Sequence, residues 1–351
     1  MAEVRIGISG WRYAPWRGVF YPDDLPQRAE LEYAAGIFPT IEINGSFYSL
    51  QRPDCYARWY GQTPSDFLFS LKGPRFITHM LKLKGCEQAL ANFLASGVFL
   101  LREKLGPILW QLPPILAYDP QRLENFLALL PHDTEEALSI ARKRARWLKG
   151  RVCLSVGSSR PIRHALEFRH PSFMNASLVQ LLRRHRIALV IAETAGLWPQ
   201  AHDVTSDFIY MRLHGDTELY RSGYSDRALS LWAKRIELWH RGGEPGDAMK
   251  IVGDRLPPQR KRDVYCYFDN TDAKLRAPFD AQTLMAKLGL EKLGTTHHAD
   301  RTQTRKVPGQ TRLQTHGGTQ RNAQGEARSG AALRDSKARR APAALRSATR
   351  T

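Results

Sequence analysis

Eight strand-like segments alternate with helix-like segments over the first 290 residues, and this alternation limits the fold more than any other feature of the sequence. The strand-like segments, rich in β-branched and aromatic residues, are 4–11, 40–48, 66–73, 106–114, 164–171, 187–194, 208–216 and 263–270. Helical patterns occur at 27–38, 53–62, 86–101, 120–130, 134–149, 174–186, 226–241 and 281–290. Strands that alternate with helices form parallel sheets. Eight of them predict one TIM-barrel-like (β/α)8 domain spanning 1–292.

A doubly wound open sheet is the rival fold. Its dinucleotide-binding form carries GxGxxG after a strand, whereas the nearest segment here, GISG from Gly7 to Gly10, lacks the third glycine. Residues 241–262 are rich in Gly, Pro and basic side chains and predict a loop inserted before the last strand. Asp133 and Glu136 have the spacing of a capping box, which predicts that the helix over 134–149 begins there.

Half of the net charge of +18 lies at the carboxyl end of the chain. Residues 291–351 contain 13 Lys and Arg against 4 Asp and Glu, and no aromatic residue, isoleucine or cysteine follows Leu293. A segment that can bury so little apolar surface does not offset the entropy of ordering. We therefore predict a disordered basic tail over 293–351, which either binds nucleic acid or another anionic surface or has no specific role.

Cysteine usage and hydropathy indicate a cytoplasmic protein without membrane segments. No stretch approaches the roughly 20 apolar residues of a membrane helix. The start MAEVRIGISGW lacks the order of regions found in a signal peptide. We expect reduced thiols, not a disulfide or zinc framework, because no CxxC pair occurs. The four cysteines are widely separated: Cys55, Cys86, Cys153 and Cys266.

Polar residues recur at a spacing of two near the carboxyl ends of the strands. The pairs are Glu42 with Asn44, Ser70 with Lys72, Glu167 with Arg169, and Arg212 with His214, while Gln111, Glu193, Asp269 and Asn270 end other strands. Alternate residues of a barrel strand face the interior, and active sites lie at the carboxyl-terminal mouth. We predict a polar pocket there, although Glu167–Arg169 or Glu42–Arg212 are alternatively internal ion pairs that fix the barrel geometry.

Three functions fit these residues, and the first is a hydrolase that acts on a small phosphate-bearing substrate, such as a phosphodiester or a sugar phosphate. Its predicted catalytic residues are Glu42, Glu167 and His214. Its predicted substrate-binding residues are Trp11, Asn44, Tyr48, Lys72, Gln111, Arg169, His170, Arg212 and Asn270. A divalent metal is an option, and its ligands would come from Glu42, Glu167, Glu193, His214 and Asp269.

The other two functions are a metal-free glycosidase and a non-catalytic nucleic-acid-binding protein. The glycosidase would use Glu42 and Glu167 as its paired carboxylates, with aromatic side chains as sugar platforms. The binding protein would use the basic surface and the basic tail, and its affinity would depend steeply on salt. The sequence leaves the substrate, the cofactor and the oligomeric state open.

The same segments carry a family resemblance that spans about Val4 to Leu290. The motifs are ISGWRYAPWRGVFYP, FPTIEINGSFYSLQRP, FLFSLKGPRFITHM, LGPILWQLPP, HALEFRHPSF, SDFIYMRLHG and VYCYFDNTDAKLRAP. On these motifs the chain resembles the YecE-like family, which is known as a domain of unknown function. The resemblance implies a (β/α)8-type barrel and supplies no reaction. Glu193 departs from the aspartate that the family pattern leads us to expect.

Overall fold

The computed structural model describes residues 2–254, 261–270 and 274–290. Within them, eight parallel strands form a closed barrel in sequence order, and β8 pairs with β1 to close it. The strands are β1 Val4–Ser9, β2 Thr40–Ile43, β3 Leu68–Lys72, β4 Leu105–Gln111, β5 His164–Glu167, β6 Ala188–Glu193, β7 Phe208–Leu213 and β8 Asp263–Phe268. The predicted (β/α)8 barrel is confirmed.

Helices surround the barrel in the described part of the chain. They are α1 Glu30–Ile37, α2 Gly45–Tyr48, α3 Pro53–Gly61, α4 Glu87–Ala95, α5 Pro120–Leu127, α6 Thr134–Ala141, α7 Ala176–Arg184, α8 Asp226–His240 and α9 Ala277–Lys287. Their apolar sides pack on the outward-facing strand residues, which form one large buried cluster. None of these helices has the length and apolar character needed to cross a membrane.

The barrel interior has its own smaller core. Registers such as Glu42↔Ser70, Gln111↔Glu167 and Ala192↔Arg212 show which residues share the inward face. Tyr267 lies deep in this interior, and its hydroxyl hydrogen-bonds to Thr40 Oγ1 at 2.8 Å and to Ser70 Oγ at 2.6 Å. The inward apolar residues are Leu109, Ala165, Ala188, Val190, Ala192, Phe208, Tyr210, Tyr265 and Tyr267. The interior is therefore packed below the mouth, as expected for eight strands.

Two predicted helices end far before their predicted carboxyl-terminal bounds. The segment 86–101 contains α4 and then breaks at Gly97, whose φ of +120° disfavours any residue with a side chain. The segment 134–149 contains α6 and only a 3-10 turn at Arg146–Leu148. The backbone N–H of Ala145 donates to Asn92 Oδ1 at 2.8 Å, which removes that amide from a helical ladder.

The start of α6 agrees with the predicted cap. Asp133 accepts hydrogen bonds from the backbone N–H groups of Glu135 and Glu136. The Glu136 carboxylate reaches back to the backbone N–H of His132 at 2.7 Å, one residue before the position of a standard capping box. The cap therefore fixes the helix start even though the reciprocal bond is shifted.

Three other regions qualify the predictions. The second strand was predicted over 40–48, but it ends at Ile43 and residues 45–48 form α2. Residues 241–254 and 261–262 of the predicted insertion contain no helix or strand, and 255–260 lie outside the described residues. The predicted basic tail, 293–351, also lies outside them. The domain boundaries and the tail therefore stay predictions.

Candidate functional site

Arg212, near the end of β7, lies at the centre of the barrel mouth and is fully buried. Its Nε and Nη2 donate to the two carboxylate oxygens of Glu42 at 3.1 and 2.9 Å. Its Nη1 donates to Glu167 Oε2 and its Nη2 to Asp269 Oδ2, both at 2.8 Å. We call Arg212, Glu42, Glu167, His214 and Asp269 the Arg212 cluster. Three carboxylates surround this guanidinium, so it is not free to bind a substrate anion.

Glu42, on β2, uses both carboxylate oxygens within the protein. The carboxylate accepts two hydrogen bonds in addition to those from Arg212. Ser9 Oγ donates to Oε1 at 2.6 Å, and Tyr210 Oη donates to Oε2 at 2.7 Å. Its side chain is 0% exposed. Charge-assisted hydrogen bonds of this kind are the strong ones. Glu42 therefore orders the mouth and does not itself reach a ligand in this structure.

Glu167, the last residue of β5, lies between two arginines. Arg169 Nε donates to Oε1 at 2.9 Å, while Arg212 holds the other oxygen. Burial alone would raise the pKa of the Glu167 carboxyl, but Arg169 and Arg212 hold it well below its usual range. The two ion pairs that the sequence offered as structural alternatives are thus both present.

His214 follows β7 and is completely buried beside Asp269. Its Nε2 lies 3.4 Å from Arg212 Nη1, a donor, so Nε2 is the acceptor and the ring proton is on Nδ1. Nδ1 lies 3.1 Å from Asp269 Oδ2, a contact at ion-pair distance that lacks hydrogen-bond alignment. Burial and then Arg212 lower the pKa of His214. The imidazole is therefore neutral and closed off from solvent.

Lys72, at the end of β3, differs from the other charged groups of the mouth. It is partly exposed, and no carboxylate of the described residues lies within 4.0 Å of its Nζ. Nζ lies 4.4 Å from the centre of the Phe47 ring. Burial and then the Arg212 charge lower the pKa of Lys72 to about 8. Lys72 therefore offers an unpaired amine that is partly neutral near pH 8.

Two partly exposed side chains flank Lys72 at the mouth. His79 packs edge-on against Phe47 with ring centres 5.1 Å apart, and its Nδ1 lies 2.8 Å from Thr78 Oγ1. Burial and then Lys72 lower the pKa of His79 to about 4, so the ring is neutral. The Arg169 guanidinium stacks 3.8 Å from the centre of the Trp198 ring. Its Nη2 donates to Tyr220 Oη, and Nη1 has no partner among the described residues.

The remaining predicted residues lie at or beyond the edge of this site. Asn44 donates to Ser9 Oγ at 3.0 Å, and Trp11 and Tyr48 line a neighbouring groove. Gln111 is buried and donates to its neighbour's backbone, Leu112 O, at 2.8 Å. His170 accepts from the backbone N–H of Ser172 and so caps the short turn that follows.

Two predicted residues do not reach the mouth. Glu193 pairs in register with Leu213, on the outward face, and burial and then Asp216 raise the pKa of its carboxyl. Asn270 lies under α9, where its amide donates to Asp280 Oδ2 at 2.8 Å. A shift of one residue along a strand reverses the face on which a side chain lies. These two placements correct the prediction that both residues belong to the pocket.

Sequence reasoning missed three contributors to the site. Ser9 and Tyr210 both bind Glu42. Tyr210 is two residues before the inward-facing Arg212, and Ser9 is two residues after Gly7, so the alternation of faces along each strand could have identified both. Trp198, which stacks on Arg169, lies in an irregular segment after β6, and no periodic pattern marks it.

A metal centre is not formed by the predicted ligands in this arrangement. Among residues 2–254, 261–270 and 274–290, no group of three or more His, Cys, Asp or Glu side chains is placed to hold a metal ion. The guanidinium of Arg212 occupies the space between Glu42, Glu167 and Asp269. The Arg212 guanidinium therefore takes the place that a metal ion would need between these carboxylates.

The fold and site together define a parallel (β/α)8 barrel whose mouth is built on a buried arginine–carboxylate cluster. Residues 5–305 match the model of the family described as "Protein of unknown function DUF72", and the chain belongs to this family. The UPF0759 protein YecE of Escherichia coli (strain K12) is 30% identical over 131 residues, which cover 36% of this chain and 44% of that protein. The UPF0759 protein YunF of Bacillus subtilis (strain 168) is 28% identical over 116 residues, or 32% of this chain and 40% of that protein.

Solved structures of the same family share the fold. A DUF72 family protein from Thermotoga maritima MSB8 is 23% identical, with a TM-score of 0.61 over 82% of this chain and 99% of its own. A second, from Enterococcus faecalis V583, is 17% identical, with a TM-score of 0.57 over 82% of this chain and 96% of its own. The chain spans less than half the length of the curated relatives it matches. These likenesses support the barrel and assign no reaction.

Proposed function

We propose that this protein is an enzyme that acts on a small phosphate-bearing carbonyl compound, such as a sugar phosphate, through the amine of Lys72. The single observation that carries the proposal is the state of Lys72: an unpaired amine at the mouth, with its pKa lowered to about 8 by burial and by Arg212. Lysines that act as nucleophiles are activated by desolvation or by a neighbouring cation. Lys72 has both.

The chemistry of such an amine is addition to a carbonyl carbon. The nitrogen of Lys72 forms a C=N bond, and the carbonyl oxygen leaves as water after taking up two protons. The neutral ring of His79 contacts the same Phe47 as Lys72 does, and with Nδ1 beside Thr78 its Nε2 is available to accept or return a proton. His79 is thus the proposed acid–base group.

The phosphate would bind to Arg169. Its guanidinium is oriented by Glu167, by Tyr220 and by the Trp198 ring, yet keeps Nη1 unpaired among the described residues. A planar guanidinium held in this way is suited to bind a phosphate. Because Arg212 is surrounded by carboxylates, Arg169 is the proposed cation for the substrate phosphate, while Lys72 reacts as the neutral amine.

The geometry gives less support to the other functions considered from sequence. Hydrolysis through Glu42, Glu167 and His214 would need groups that are 0 to 1% exposed to reach the substrate. A glycosidase needs one carboxylic acid that is protonated, whereas Arg169 and Arg212 keep Glu167 ionised. The nucleic-acid alternative would use the basic surface and the basic tail, and the tail lies outside the described residues.

Reductive trapping tests the proposal. The full chain is incubated with a panel of aldose and ketose phosphates and sodium borohydride, and the adduct is located by peptide mass spectrometry. We expect a covalent adduct on Lys72 with at least one sugar phosphate. Lys72→Met should abolish it, whereas Lys143→Met, which removes an exposed lysine, should leave it unchanged. Absence of any adduct, together with phosphodiester hydrolysis that survives Lys72→Met, would overturn the proposal.

A further inference from the structure

A second site lies beside the mouth, between the loops that follow β1 and β2 and helices α1 and α3. It is a groove with a cavity of about 490 Å³, a volume typical of small-ligand sites. We call it the arginine groove, and the side chains that define it are Arg12, Arg28, Arg58, Trp11, Tyr48 and Trp59. It lies apart from Lys72 and from Arg169, which do not line it.

The charge of the groove is uncompensated. Arg12, Arg28 and Arg58 are all exposed, and none has a carboxylate within 4.0 Å among the described residues. No Asp or Glu occurs among the described residues that line the cavity. The contrast with Arg212, which three carboxylates surround, is clear. Three guanidiniums that line one cavity without counter-charges attract a ligand that carries more than one negative charge.

The walls of the groove also offer aromatic surface. Trp59 is held edge-on by Trp11, with ring centres 5.5 Å apart, and by Tyr56 at 5.1 Å. Tyr48 is 69% exposed and packs edge-on against Phe47. Rigid aromatic side chains beside arginines are the surfaces on which planar bases stack.

We infer that the arginine groove is a nucleotide-binding site, in which a nucleobase stacks on the aromatic wall and the phosphates bind Arg12, Arg28 and Arg58. The ligand is either a free nucleotide or the terminal nucleotide of a single strand, since both present the same ring and phosphates. This inference does not depend on the chemistry of Lys72.

Two cysteines provide a site-specific measurement. Cys55 lines the groove, whereas Cys153 does not, and both thiols are partly exposed. The full chain is alkylated with iodoacetamide in the presence of ATP, adenosine, inorganic tripolyphosphate or a pentathymidylate strand. Peptide mass spectrometry then gives the rate at each cysteine. We expect ATP to slow alkylation of Cys55 at least fivefold and to leave Cys153 unchanged.

Matched variants separate groove binding from general attraction to a basic protein. Arg28→Gln with Arg58→Gln should weaken ATP binding at least tenfold, measured by titration calorimetry at fixed salt. The double variant Arg142→Gln, Arg146→Gln removes two exposed arginines outside the groove. It should change the affinity for ATP less than twofold. Lys72→Met should bind ATP as the wild type does, which separates this site from the proposed catalytic one.

The outcomes are distinct. Stronger protection of Cys55 by pentathymidylate than by ATP would assign the ligand to a strand end, and the reverse would assign it to a free nucleotide. Tripolyphosphate that binds as tightly as ATP would overturn the inference, because the aromatic wall would then contribute nothing. Binding that leaves Cys55 unprotected, or that persists in the Arg28 and Arg58 variant, would overturn it as well.

Discussion

Arg212 and Glu42 form a bidentate ion pair inside the barrel, with Nε to Oε2 at 3.1 Å and Nη2 to Oε1 at 2.9 Å, although 170 residues separate them in the sequence. The pair joins β7 to β2, which are not neighbours in the sheet. Buried charges are tolerated only when they are paired and hydrogen-bonded. The pair therefore links two strands that do not pair with each other, and Glu167 and Asp269 bind the same guanidinium.

Removal of the guanidinium should be severely destabilising. Arg212→Met leaves the buried Glu42 without its counter-charge and Glu167 with Arg169 alone, and we expect a loss of about 3–5 kcal/mol in the free energy of unfolding. Guanidinium chloride titration measures it. Arg184→Met is the matched control, since Arg184 pairs with Glu124 at the surface, and it should lose at most about 1 kcal/mol. Equal losses in the two variants would contradict a structural role for the cluster.

Glu167 should make stability depend on pH in the acid range. Its pKa is held below the unfolded value of about 4.5, so its contribution is complete above that pH and is lost as the pH falls below it. The difference in unfolding free energy between wild type and Glu167→Gln should therefore be largest at pH 6 and shrink towards pH 3. Urea titrations at four pH values measure it, and a difference that stays constant would refute the assignment.

Lys72 should reduce the stability of the fold at neutral pH. Because its folded pKa of about 8 lies below the unfolded value of 10.5, stability decreases as the pH falls from 10.5 to 8. Lys72→Met should thus be more stable than wild type by about 1 kcal/mol at pH 7, the low end of the cost of an unpaired polar group because Lys72 is partly exposed, and lose this advantage near pH 10.5. Thermal unfolding at both pH values tests it. A less stable variant at pH 7 would show that the amine has a partner.

His214 should remain neutral where ordinary histidines are protonated. Burial and Arg212 lower its pKa, and Nε2 accepts from Arg212, so the proton should stay on Nδ1. Long-range ¹H–¹⁵N correlation spectra at pH 7.0 and 5.5 would show the tautomer directly. A doubly protonated ring at pH 5.5 would mean that Asp269 raises the pKa of His214 by more than Arg212 and burial lower it.

The inward parity of the polar residues was predictable from the sequence alone. A spacing of two near each strand end placed Glu42, Lys72, Glu167 and Arg212 on one surface, because side chains alternate along a strand. The same argument fails where the strand register is unknown. Asn270 is the immediate neighbour of the inward Asp269 and therefore faces α9 instead of the mouth.

The division of roles among these residues was not predictable. Which cation is neutralised depends on how many carboxylates surround it in three dimensions. Arg212 is enclosed by three carboxylates, whereas Lys72, on the opposite strand β3, has none within 4.0 Å among the described residues. Both looked alike in the sequence as basic residues at strand ends. Only the closed barrel shows that Arg212 is held by carboxylates and that the Lys72 amine is left unpaired among the described residues.

The Arg212–Glu42 pair also bears on how the chain can be assembled. During synthesis β2 is made before β7. The Glu42 carboxylate therefore has no Arg212 partner until a further 170 residues have been added. A half-barrel that ended after β4 would contain Glu42 and Ser9 but neither Arg212 nor Tyr210. Such a fragment must keep the end of β2 open to water. We therefore expect the cluster to form only when the two halves of the barrel come together.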